Sequence, residues 1–316
     1  MIKRIFFIAL VFAFFGFKNI ANAQNSYSIR AKVPKFSNSE ILLKGYTFQG
    51  DTLLSFAKAN NEGEFVLHYP SSYVGLASIV YGENNKKALV LNHEDIDFTN
   101  EGHYNEFYFV NSMENKLVNK GNNLLESSDF MLIKSSIQYA EHAQEPTKRD
   151  FYLNMIKEKE DSIDIVIASF PPSSYAKFFI NFRKSMLSMN ITANKIPSRL
   201  QAHETVFNHF NFNDERLRSS SCYKNFIEIY FRLLSTYGSD ERVKHINNSI
   251  DAIVLGLKEN PKLLEYISVY LLDVLEQNRY ESSVNYLASS MLLESNRLLT
   301  SKSKKRFEAC LVKKTD

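Results

Sequence analysis

The feature that most constrains this chain is a change of apolar period near Asn111. From Tyr27 to about Val110 the apolar residues alternate in short runs: Tyr27, Ile29, Ala31 and Val33, then Phe65, Leu67 and Tyr69, then Ile96 and Phe98. Successive side chains of a strand point to opposite faces, so each run reads as a half-buried strand. Turn-forming clusters separate them, Asn60-Asn61-Glu62-Gly63, Gly82-Glu83-Asn84-Asn85 and Asn92-His93-Glu94-Asp95. About seven strands without intervening helices need a second sheet over their apolar face, which predicts a small antiparallel β-sandwich.

Beyond Asn111 the period is helical to the end. Tyr175, Phe178, Phe179, Phe182, Met186 and Met189 form one stripe, introduced by Pro171-Pro172-Ser173-Ser174. Cys222, Tyr223, Phe226, Ile227, Tyr230, Leu233 and Leu234 form another, opened by Ser219-Ser220-Ser221 and stopped at Gly238. A third helix is expected from Ser239-Asp240 to near Asn260-Pro261, and Leu263 to Leu275, apolar almost all round, reads as the buried centre of the bundle. No fixed repeat is present. The fold class expected is therefore α+β, a sandwich over residues 24–112 followed by an irregular all-helical domain over 113–316.

Residues 1–23 read as a cleaved secretory signal: Lys3 and Arg4, an apolar run from Ile5 to Phe17, and a small-residue site at Ala21-Asn22-Ala23. As a helix that run covers about 20 Å, short of the roughly 30 Å hydrocarbon core, so cleavage is expected rather than anchoring. No Cys lies near the cleavage point, which argues against a lipoprotein anchor, and no later segment is long and apolar enough to span. The mature chain is expected in the periplasm or secreted, without a transmembrane anchor. Removing Lys3, Arg4 and Lys18 takes the 38 basic residues to 35, equal to the 35 acidic ones. A neutral mature chain gives no electrostatic case for a nucleic acid partner. With 44% hydrophobic and 23% charged residues it is neither a disordered polymer nor a multi-span membrane protein.

The two cysteines, Cys222 and Cys310, stand 88 positions apart, and no Cys-x-x-Cys occurs. A disulfide closing so long a loop would contribute about 4–5 kcal/mol. Spacing alone does not bring the Cα atoms together, so the pair reads first as two separately buried thiols, with the disulfide as the alternative.

His203-Glu204 with His209 resembles part of a zinc-protease helix, but the histidines are six positions apart instead of four. That turns a helix through about 600° and leaves the rings roughly 120° apart, so surface or packing roles are expected. His93, Glu94, Asp95 and Asp97 could hold a hard cation at a loop, but a turn with Asp95 and Asp97 facing solvent is the simpler reading. Lys157 to Asp161 reads as the solvated side of a helix. Ser301 to Arg306 is a basic cluster that either meets acidic lipid or a partner, or starts a last short helix. The 25 Phe and 17 Tyr are first accounted for by core packing; a groove lined by Tyr266, Tyr270, Tyr280 and Tyr286 is the alternative. There is no Gly-rich phosphate loop and no nucleophile elbow. No catalytic residue, cofactor or metal site is predicted.

The order of features resembles a known family. A signal, a sandwich with Asn60-x-x-Gly63-x-Phe65, the run Asn111-Ser112-Met113-Glu114-Asn115, then Phe170-Pro171-Pro172-Ser173-Ser174-Tyr175, then Phe212-Asn213-Asp214-Glu215-Arg216-Leu217 is similar to the N-terminal region of TlpA/ResA-like thiol:disulfide interchange proteins of Bacteroidetes. The resemblance implies a sandwich, a helical domain and then a thioredoxin-like domain with Cys-x-x-Cys. Here the chain stops at Lys313-Lys314-Thr315-Asp316, about where that domain would begin, so no redox motif carries over to any residue. The function expected is a non-catalytic envelope binding or docking module, its partner an envelope protein or a separate thioredoxin-like protein. The alternative is a component of a protein disulfide reductase whose thioredoxin-like domain is missing or separate.

Overall fold

The computed structural model describes residues 26–82, 85–100, 107–195, 200–295 and 298–312. The leader, and Glu83 and Asn84 of one expected turn, lie outside the described residues. The described chain divides into two compact units, one within residues 26–46 and 51–117, the other comprising 118–312 with 47–50.

The first unit holds the strands β1 (Ser26–Lys32), β2 (Glu40–Thr47), β3 (Gly50–Lys58), β4 (Glu64–Pro70), β5 (Gly75–Tyr81), β6 (Asn85–Leu91), β7 (Ile96–Thr99) and β8 (Tyr108–Phe109), with a 3-10 turn at Pro34–Phe36. They form two four-stranded sheets, β4-β1-β7-β8 and β3-β2-β5-β6. The α+β class and the sandwich are as the alternation predicted. One pair departs from the antiparallel expectation: β1 and β7 run parallel, Ile29 opposite Ile96 and Ala31 opposite Phe98. Alternation has the same period in either orientation, so it is silent on this point. Ile29, Ile41, Leu43, Leu67, Ile79, Leu91 and Ile96 are fully buried between the sheets. An aromatic cluster completes the core, with Phe36 4.0 Å from Tyr81 and Phe98 4.3 Å from Phe107 between ring centroids.

Two of the motifs have structural roles here. In Asn60 to Phe65 the Asn60 side-chain oxygen accepts from the backbone N–H groups of Glu62 and Glu64, each at 2.9 Å. This forces the tight turn that Gly63 completes with φ +77°. In Asn111 to Asn115 the polar side chains are all engaged. Asn111 accepts from the Asp97 N–H at 2.7 Å, and the Ser112 hydroxyl oxygen accepts from the Asn115 N–H at 3.2 Å, an N-cap bond. Ser112 donates its hydroxyl proton to Glu94, which also accepts from the Met113 N–H at 3.2 Å. The Asn115 side-chain amide accepts from the Val90 N–H at 2.7 Å and donates to the Val90 carbonyl at 2.8 Å, taking the place of a neighbouring strand.

The described helices are α1 (Met113–Glu141), α2 (Pro146–Ala168), α3 (Tyr175–Lys195), α4 (Leu200–Asn208), α5 (Glu215–Arg218), α6 (Tyr223–Leu234), α7 (Ser239–Leu257), α8 (Pro261–Gln277), α9 (Glu281–Glu294) and α10 (Ser301–Val312). Only the first turn of α1 belongs with the sandwich. Capping places the starts: Ser174 accepts from the Lys177 N–H at 3.1 Å, Asp214 from the Arg216 N–H at 2.9 Å, and Asn260 from the Leu263 N–H at 3.3 Å, with Pro261 at the first helical position. The stripes then meet in one core, where Phe207, Phe226, Tyr230, Ile250, Leu263, Ile267, Leu271 and Leu287 are almost completely buried. No described helix is long and apolar enough to cross a membrane.

Candidate functional site

Helix α4 buries Leu200, Glu204 and Phe207, which lie on one stripe of a helix, so a carboxylate occupies an apolar position. Burying an unpartnered carboxylate costs several kcal/mol, so the position requires donors from other elements. The Tyr237 hydroxyl donates to one oxygen at 2.7 Å and the His245 Nδ1–H to the other at 2.6 Å. The two rings are stacked, 3.8 Å between centroids and 2° from parallel, which sets the O–H and N–H side by side. Burial, and then the Glu204 carboxylate, push the Tyr237 hydroxyl pKa above its ordinary value, keeping it a donor.

One helical turn beyond His245, Ser249 continues the network inward. Its hydroxyl lies 2.7 Å from the Tyr230 hydroxyl, and 3.0 Å from both the Asn208 side-chain oxygen and the His245 carbonyl. Tyr230 in turn stacks on Phe207 at 3.5 Å, fixing the network to the core. Glu204, Tyr237, His245 and Asn208 form part of the wall of a cleft of about 640 Å³ on α4 and α7, together with Gln201, Thr205, His209 and Glu241. His209 donates Nδ1–H to the Thr205 carbonyl at 2.8 Å. Both imidazoles are therefore held through Nδ1, and in the neutral form each keeps a lone pair on Nε2. No Lys or Arg is among the described residues lining the cleft.

Of the residues singled out in the sequence, Glu204 and His209 line this cleft, whereas the partner of Glu204 is His245, 41 positions away, rather than His203 or His209. Among the described residues no three metal-ligating side chains converge on one point. In the His93 to Asp97 run the carboxylates diverge: Glu94 caps α1, Asp95 accepts from the Ser28 N–H at 2.7 Å, and Asp97 pairs with Arg30 at 2.8 Å. Lys157 and Glu158 are exposed on α2 opposite the buried Ile156 and Ile163. Of the four tyrosines, Tyr266 and Tyr270 both face the Lys224 ammonium, at 5.0 and 5.1 Å, and Tyr270 also donates to Glu228, while Tyr286 donates to Asp251 at 2.8 Å and Tyr280 sits beneath Arg242. The basic cluster is the first half of α10, and its Arg306 is bound by Asp273 at 3.0 Å and by Glu276.

Cys222 and Cys310 are both free thiols. Cys222 precedes α6, and burial pushes its thiol pKa up, against smaller opposing contributions from Ser221, Arg183 and Ser220. Cys310 is buried on α10, its thiol 3.3 Å from the Arg306 carbonyl, at the wall of a cleft of about 750 Å³. No protein-family model, curated protein or solved structure matches this chain.

Proposed function

We propose that this chain is a non-catalytic binding module of the cell envelope, akin to the accessory region of thiol-disulfide interchange proteins, and that it takes its ligand in the α4–α7 cleft. One observation carries the reading: Glu204 stands at a core position of α4, and every group that satisfies it also faces the cleft wall. An apolar residue there would serve packing better, so the network is best explained by what it presents. Binding is favoured over disulfide exchange because exchange needs an accessible, acidified thiolate, whereas the Cys222 thiol is pushed up and Cys310 is buried. Placement in the envelope rests on the leader.

The test is a thermal-shift screen of the chain against neutral glycan, peptide and lipid fractions of bacterial envelopes. Thr205→Trp, at an exposed position on the cleft wall, serves as the blocked control. A ligand at about 100 times its Kd stabilises the native state by about 2.7 kcal/mol, so one fraction should raise the wild-type Tm by several degrees and leave Thr205→Trp unmoved. Thiol-dependent insulin reduction that disappears in Cys222→Ser would count against the proposal.

A further inference from the structure

Resting on that reading, we infer that the α4–α7 cleft binds a neutral polyhydroxylated ligand, a saccharide. An anion finds no Lys or Arg among the described lining residues and faces Glu204 and Glu241. An apolar ligand finds, among the described lining residues, one buried aliphatic side chain, Leu200, beside polar and aromatic ones, and would strip water from carboxylates without replacing it. A cation fares little better. Both Glu204 oxygens already accept, from Tyr237 and His245, which leaves the exposed Glu241, and an exposed ion pair contributes little.

What the cleft does offer is a set of alternating donors and acceptors held in place. The Asn208 side-chain oxygen is committed to Ser249, so its NH₂ remains a donor. His209 and His245, each pinned through Nδ1, leave Nε2 for a ligand, an acceptor in the neutral ring and a donor in the charged one, either of which a hydroxyl can meet, and Gln201 and Glu241 add an amide and a carboxylate. Vicinal hydroxyls, each donor and acceptor at once, match such a set. A volume of about 640 Å³ is within the range of small-molecule sites.

Isothermal titration of the intact protein with maltotriose, cellotriose and N,N′-diacetylchitobiose tests this, beside spermidine and inorganic phosphate. We expect at least one saccharide to bind with Kd below about 1 mM. Gln201→Ala, an exposed position, should weaken it several-fold, His245→Ala about tenfold, and Thr205→Trp should abolish it, with far-UV circular dichroism unchanged. Preference for spermidine or phosphate, or no saccharide binding at about 10 mM, overturns the inference. If the saccharides fail while another envelope fraction still stabilises wild type and not Thr205→Trp, the ligand class falls and the binding reading stands. If no fraction acts, both fall.

Discussion

Gly63→Ala tests whether the Asn60 to Phe65 motif is structural. A Cβ built at Gly63 lies 2.0 Å from the Val33 carbonyl oxygen and 2.6 Å from its carbon, both backbone atoms that no rotamer change can move. The position also has φ +77°, where an alanine costs about 1–2 kcal/mol. Relieving the clash means displacing Val33 and Pro34, which strains the 3.0 Å bond from the Val33 N–H to the Gly63 carbonyl, worth about 1 kcal/mol. The same shift loosens Phe36, 1% exposed among Phe65, Tyr81 and Phe107, at a further cost of about 1–2 kcal/mol. Together the variant should lose about 3–5 kcal/mol, enough to lower the sandwich Tm by at least about 12 °C. Thermal and urea unfolding followed by circular dichroism measures it. Gly238→Ala is the control: no atom approaches within 4 Å of its Cβ and its φ is −57°, so the change should stay within about 1 kcal/mol. A Gly63→Ala variant as stable as that control would refute the reasoning.

Asn115→Ala leaves both backbone groups of the fully buried Val90 without their side-chain partner, and urea titration should show a loss of about 2–4 kcal/mol. Burial pushes the Glu94 carboxyl up from its ordinary value, despite its bonds from Ser112 and Met113. A raised folded pKa contributes stability that is present below the unfolded pKa and lost as pH rises through the folded one. Urea stabilities from mildly acidic to neutral pH should therefore decline more steeply for wild type than for Glu94→Gln, and parallel curves would contradict this. Cys222 and Cys310 should react slowly with a disulfide reagent in the native protein and both rapidly in denaturant, as free, covered thiols do; a denatured protein with no titratable thiol would show that they are joined.

Much of the fold is legible because burial imposes a period. Ile29 and Ala31, Leu67 and Tyr69, and Ile96 and Phe98 alternate because one sheet face meets the core and the other water. The reading fails where that asymmetry is absent. In β5, Leu76 and Ser78 are buried along with Ala77 and Ile79, so both faces are covered and alternation vanishes. In β3, an edge strand, Leu53 and Phe56 are exposed, so apolar residues there mark no core. The partnership of Asn115 with Val90 spans 25 positions and is carried by one amide, for which no periodic signal exists.

The candidate site was half legible, for a reason that extends to other joints of the structure. Helical geometry separates His203 from His209, but a wheel describes one helix and cannot name a partner on another. The available signal was the stripe itself: a carboxylate between Leu200 and Phe207 must find donors elsewhere or be expelled. Ser249 and Ser268 break the buried stripes of α7 and α8 in the same way, and each is met from another element, Ser249 by Tyr230 and Asn208, Ser268 by the Met291 sulfur at 3.3 Å. Ser283, fully buried with no partner for its hydroxyl, shows that a small polar residue can break the pattern without such a joint. A fully buried carboxylate does so at a cost several times larger, and the one buried Asp129 oxygen without a partner belongs to a side chain that is only partly covered. A charged residue in a buried stripe is thus a stronger pointer to a site than a hydroxyl, and among the described residues of the helices from α4 onward that criterion selects Glu204.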